Sequence, residues 1–130
     1  MAPCLTSQSI SLRQIILDGY PDVKSVPGQI QLFSNLKVIS IWNFDILEQL
    51  PDWIGNLSSL EELSLYQCKN LKFLPSKQVM LSLTEFWHLN VADCPLLTER
   101  YAKDGPKWHN ISHLSYIVFN DNIVQSSEQE

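Results

Sequence analysis

Cys68 and Cys94 stand 26 residues apart, and two thiols brought together by a fold could carry redox chemistry. Cysteine is also among the most buried residue types and acts there as a small apolar side chain, which is how the surrounding leucines read it. With Cys4 they are the three cysteines of the chain, too few for a disulfide framework and in keeping with a cytoplasmic setting. His109 and His113 have the i, i+4 spacing of a helical metal pair, with Asp104 and Asp121 near in sequence. Zinc needs a third and often a fourth ligand. The stretch HNISH lacks the glutamate of HExxH, so no metal is expected, and His113 is expected to satisfy a buried hydrogen bond. Glu61 and Glu62 lie on a flat strand, whereas hydrolytic carboxylate pairs face each other across a cleft. No serine sits in a GxSxG elbow, and no GxxxxGK(S/T) loop is present to cradle phosphates. No enzyme activity and no cofactor are expected.

What remains is surface chemistry, and the elements that would present it repeat. The stretch LEELSLYQCKNLKFLP has apolar residues at Leu60, Leu63, Leu65, Cys68, Leu71 and Leu74, a spacing that neither a helix nor a plain strand explains. The same register runs through Leu36, Ile39, Ile41, Phe44, Leu47, Leu50 and Pro51. It runs again through Leu12, Ile15, Leu17, Tyr20, Val23, Val26 and Pro27. Phe86, Leu89, Val91, Cys94 and Leu97 carry its first half. Starts near 12, 36, 60 and 86 give periods of 24, 24 and 26 residues, within the roughly 20–29 of leucine-rich repeats.

The spacing has a physical meaning. Steps of two place two side chains on one face of a short strand. The position after the strand holds Tyr20, Phe44, Cys68 and Cys94, all compatible with burial. Pro27, Pro51 and Pro75 then exclude a regular ladder. No single turn buries its own apolar row, so neighbours must stack and their strands pair in parallel. The expected fold is an α/β leucine-rich-repeat solenoid. It has short parallel strands on the concave face, irregular, 3₁₀ and short helical returns, about four repeats, and a C-terminal cap.

Residues 1–9 read as a lead-in or partial cap, 10–100 as the repeats, 101–119 as the cap and 120–130 as a flexible tail. In the cap, Trp108, Ile111 and Leu114 are spaced like a helix face, while Ile117 and Phe119 alternate like a final strand. No polar cap precedes Leu12, which points to self-association through an uncapped N-terminal end, or to a fragment of something larger. The 130 residues carry 9 basic and 14 acidic side chains, a net charge of −5. That balance argues against nucleic acid or an anionic membrane as partner. Every apolar run is too short for a membrane span, and the first residues show no signal peptide.

Three stretches resemble a known family. Leu47-Glu-Gln-Leu-Pro-Asp-Trp-Ile-Gly-Asn-Leu57 resembles the LPxxIGxLxxL turns of plant intracellular immune receptors. FWHLNVADCPLLTER, Phe86 to Arg100, resembles their last repeat. Gly105-Pro-Lys-Trp108 followed by Ile111-Ser-His113-Leu resembles their closing motif. The resemblance is to the C-terminal leucine-rich-repeat region of nucleotide-binding, leucine-rich-repeat disease resistance proteins of the coiled-coil class. It covers about 10–119, and the nucleotide-binding and N-terminal signalling domains have no counterpart here. It implies a non-catalytic protein-recognition module, the sensor end of such a receptor, facing a pathogen effector or other receptor domains. The alternative is a terminal receptor fragment with only a structural or self-association role; an enzyme is a third alternative that no residue pattern supports.

Alternation within each strand selects the surface. Offsets pointing away from the core give Gln14, Ile16 and Asp18; Val38, Ser40 and Trp42; Glu62, Ser64 and Tyr66; His88, Asn90 and Ala92. Trp42 and Tyr66 share a column one strand spacing apart, about 4.8 Å, and form the centre of the expected protein-binding set of Ile16, Asp18, Val38, Trp42, Glu62, Tyr66, His88 and Asn90. Their mutual packing as part of the sheet is the competing account. Trp53 is read as local packing and Trp108 as a cap residue, while Trp87 is placed near the strand edge, partly exposed.

Overall fold

The computed structural model describes residues 12–127. Its sheet has six strands in sequence order: β1 (Gln14–Asp18), β2 (Val38–Trp42), β3 (Glu62–Tyr66), β4 (His88–Ala92), β5 (Tyr116–Phe119) and β6 (Asn122–Ser126). β1 to β5 pair in parallel, with Ile39 opposite Leu63 and Leu63 opposite Leu89. From β1 to β4 each strand is therefore the previous one displaced by one sequence period, and the apolar rows superpose.

The sheet's inner face is the core. Ile39, Ile41, Leu63, Leu65, Leu89, Val91 and Ile117 are all buried, joined from the return segments by Leu36, Leu50, Leu60, Leu71 and Leu97. Ile15 and Leu17, expected to be as fully buried, are only half-buried. The reason is position: β1 has a strand neighbour on one side alone among the described residues.

Residues in the left-handed region turn the chain out of successive strands: Asn43, Gln67 and Asp93 have φ of 61°, 57° and 59°. Asn and Asp tolerate this region better than most side chains. The N–H groups of Asn43 and Gln67 continue the ladder, to the carbonyls of Tyr66 and Ala92, while that of Asp93 donates to Asn120 Oδ1 at 2.9 Å. Phe44, Cys68 and Cys94 then drop into the core. Tyr20, expected in the same role, is instead 71% exposed. The Phe44 ring packs so closely against Gly19 that a Cβ there would lie 2.7 Å from it. Asp18 Oδ1 accepts from the Tyr20 N–H at 3.0 Å, which holds the first turn in its own shape.

The returns follow the prolines. Pro27 and Pro51, extended, precede 3₁₀ turns at Gly28–Leu32 and Asp52–Asn56 that bury Ile30 and Ile54. The third return is longer by two residues and winds into α1 (Lys77–Ser82), started by Ser76, whose hydroxyl accepts from the Val79 N–H at 3.3 Å. A side-chain oxygen at this position satisfies one of the donors a helix start leaves open. After β4, Pro95 opens α2 (Pro95–Tyr101), where proline's missing donor costs nothing.

The C-terminal segment closes the far end. A 3₁₀ turn at Trp108–Asn110, buried Ile111 and Leu114, and β5 cover β4. The tail expected to be flexible from Asn120 departs from that expectation. Asn120 and Asp121, at φ 52° and 66°, make a tight hairpin, and β6 returns antiparallel on β5. Two left-handed residues suit the primed turns that match strand twist. Gln125 Nε2 donates to the carbonyls of Ser112 and Leu114 at 2.9 and 2.6 Å, fixing β6 to the cap. The lead-in at 1–9 lies outside the described residues, as does Cys4. No helix is long and apolar enough to cross a membrane among those described.

Candidate protein-recognition surface

The outer face of the sheet carries two groups of side chains. In the first, the rings of Trp42 and Tyr66 stack with centroids 4.3 Å apart and planes 30° from parallel. Parallel register produces this contact, since Trp42 and Tyr66 are direct partners across β2 and β3. The Tyr66 hydroxyl accepts from Asn90 Nδ2 at 2.9 Å, so the group extends to β4. Trp42 keeps 37% of its surface exposed. Ser64, which alternation also points outward, is buried beneath this arrangement.

The second group lies toward the start of the strands. His88 Nδ1 is 3.4 Å from Glu62 Oε1. The His88 ring meets Tyr116 edge-on at 4.8 Å and Trp87 at 5.1 Å. Sequence reasoning had His88 and Glu62 but assigned Trp87 to the strand edge and omitted Tyr116. The alternation of Ile117 and Phe119 was the available signal: it puts Tyr116 on the outer face beside His88, its partner in register.

The remaining expected positions are dispersed. Ile16 is 64% exposed on the edge strand, and Val38 is half-buried one strand in. Asp18 is drawn into the first turn, where its Oδ1 also accepts from Asn43 Nδ2 at 3.3 Å.

The groups considered for chemistry are occupied elsewhere. Glu61 pairs with Lys37 Nζ at 3.2 Å and Glu62 faces His88. Cys68 and Cys94 are fully buried, and the Cys68 N–H donates to Cys94 Sγ at 3.3 Å. Both thiols are free; the hydrogen bond between them lowers the pKa of Cys68 and, with burial behind it, pushes the Cys94 thiol far above its ordinary pKa. A thiol held protonated is a poor nucleophile. His113 is exposed, so the hydrogen bond it makes, with the Met80 backbone, lies at the surface and not inside the cap as expected; desolvation lowers its pKa, the Met80 bond opposes this, and the Lys77 charge adds to the lowering. Cap burial falls to Ile111 and Leu114, leaving the histidine on the outer side of the turn. Among the described residues no three potential metal ligands come together.

Parallel strands recurring at 24 to 26 residues, joined by 3₁₀ and short helical returns over one leucine-rich core, define a leucine-rich-repeat fold of the α/β kind. The chain belongs to the family described as R13L1/DRL21 leucine-rich repeats, whose model matches residues 17–94. Its relatives are plant disease resistance proteins. It is 40% identical over 68 residues, 52% of the chain and 7% of the relative, to "Probable disease resistance protein At4g27220" of Arabidopsis thaliana. It is 31% identical over 100 residues, 77% of the chain, to disease resistance protein RPS6 of the same plant, of which it covers 9%. Against disease resistance protein RPP4, also from Arabidopsis thaliana, identity is 31% over 87 residues, 67% of the chain and 7% of that protein. The chain thus spans under a tenth of these relatives. No solved structure matches it.

Proposed function

We propose that this chain is a non-catalytic protein-recognition module, the sensor part of a plant intracellular immune receptor, working in the cytoplasm. It is read as four stacked repeats closed by the C-terminal cap, with the outer sheet face as the concave binding surface. The partner is a protein, either a pathogen effector or another domain of the receptor. The observation that carries this reading is the Trp42–Tyr66 pair, two large rings 4.3 Å apart on the sheet face, one of them 37% exposed. Tryptophan and tyrosine are enriched among residues that dominate interface energies. The carboxylates, thiols and histidines have structural partners or stand apart, which supports a binding role over catalysis.

Affinity capture from plant cytosol, followed by calorimetry with the purified partner, tests this. Trp42→Ala with Tyr66→Ala should weaken binding by more than about 2 kcal/mol, roughly thirtyfold. Binding unchanged by the double substitution removes this face as the site.

A second reading, self-association, is favoured by the half-buried Ile15 and Leu17 on edge strand β1. Sedimentation of the full chain at increasing concentration separates it. A monomer throughout rejects it.

A further inference from the structure

Trp87 and Tyr116, which the stacked Trp42–Tyr66 pair does not include, stand with ring centroids 6.2 Å apart and planes at 47°, an open wedge. A depression of about 350 Å³ lies against this wedge, walled by Ser115, Ser126 and Ser127. The far wall is fixed: the Ser127 N–H and hydroxyl both donate to the Ser115 carbonyl, at 2.8 and 3.2 Å. Pockets for whole small molecules run from about 300 to 1,000 Å³, so this one, open and at the lower limit, suits a single side chain.

Its chemistry selects which. Trp87 is 45% exposed, so its ring is available. No lysine or arginine lines the depression among the described residues. Two carboxylates belong to the neighbouring residues: Glu62 faces His88, which touches both rings, and exposed Glu85 precedes Trp87 by two positions. Aromatic faces attract cations, and a planar guanidinium stacks in a wedge and donates to hydroxyls and carboxylates, where a compact, strongly hydrated ammonium does not.

We propose that the depression between Trp87, Tyr116 and the Ser126–Ser127 end of β6 receives an arginine side chain of the protein partner. This deepens the recognition reading and rests on it.

The test uses the full chain labelled with nitrogen-15 and titrated with acetyl-Gly-Arg-Gly-amide and its lysine, phenylalanine and glutamate counterparts. The four tryptophans give separate indole N–H signals, and Trp87→Phe identifies that of Trp87. The arginine peptide should shift the Trp87 signal saturably and bind about fivefold tighter than the lysine peptide. Trp87→Ala should abolish this binding, read then at the Tyr116 amide, while Tyr116→Phe should keep it. Thermal melts establish that each variant is folded. Equal response to lysine, tighter binding of phenylalanine, or shifts confined to Trp42 would each overturn the assignment. Failure at Trp87 together with a partner that still depends on Trp42 and Tyr66 removes the arginine alone. A partner indifferent to Trp42 and Tyr66 counts against the wider recognition surface instead.

Discussion

The Tyr101 hydroxyl accepts a hydrogen bond from the Leu74 N–H at 3.0 Å, with both residues buried. The bond runs from the end of α2 back to the third return, so the closing segment is tied to the turn before it. Tyr101→Phe keeps the ring and strands the Leu74 donor, which should cost about 1–3 kcal/mol. Chemical denaturation of the two proteins checks this.

The same residue predicts alkaline sensitivity. Burial, first, raises the Tyr101 pKa above its ordinary 10.0. Above that pH the unfolded chain releases the proton while the folded chain retains it, so stability must fall as pH rises. The buried Cys68–Cys94 pair adds no net sign, since the hydrogen bond between the thiols lowers the pKa of one and raises that of the other. Denaturation midpoints should decline between about pH 9 and 11, and Tyr101→Phe should flatten that slope.

Leu63→Ala should cost about 2–5 kcal/mol, as truncations in close-packed cores do, because Leu63 is 1% exposed between two strands. Ile15→Ala should cost less than half as much, since Ile15 is half-buried and β1 has a strand partner on one side alone among the described residues. Equal losses in urea titrations would mean that β1 is covered.

Gly105→Ala should destabilise by about 1–3 kcal/mol, the range of overpacking. A Cβ there would lie 2.6 Å from the carbonyl oxygens of both Glu99 and Arg100. These are backbone atoms and cannot rotate aside. A melting temperature unchanged by this substitution would contradict the close turn.

A chain ending at Asp121 should lose solubility and form aggregates in light scattering. Without β6, the β5 edge has unpaired N–H and carbonyl groups, the kind that template pairing with other chains. Gln125 would also no longer hold the Ser112 and Leu114 carbonyls.

Sequence alone was most informative where one period governs many residues. The four strands at 14–18, 38–42, 62–66 and 88–92 and the Trp42–Tyr66 column come directly from alternation repeated in register. It failed where a residue has no repeated neighbour. Tyr20 occupies a core position by pattern, yet the Phe44 ring against Gly19 and the Asp18 cap turn the first loop differently. β6 was missed because Asn-Asp is a weaker turn sign than Asn-Gly, and because Asn122–Ser126 is mostly exposed and carries no buried alternation. His113 was expected inside the cap, but Ile111 and Leu114 fill that interior and the histidine between them stands at the surface.

The third step of the sheet is two residues longer than the first two, yet Glu62 faces His88 just as Val38 faces Glu62. The surplus is wound into α1, on the side away from the outer sheet face. Length and recognition are therefore separable in this architecture. A residue gained or lost on the return alters a loop, whereas one gained within a strand exchanges inside for outside along that row. Lineages of such chains are free to vary the returns while the column spacing that a ligand would read stays constant.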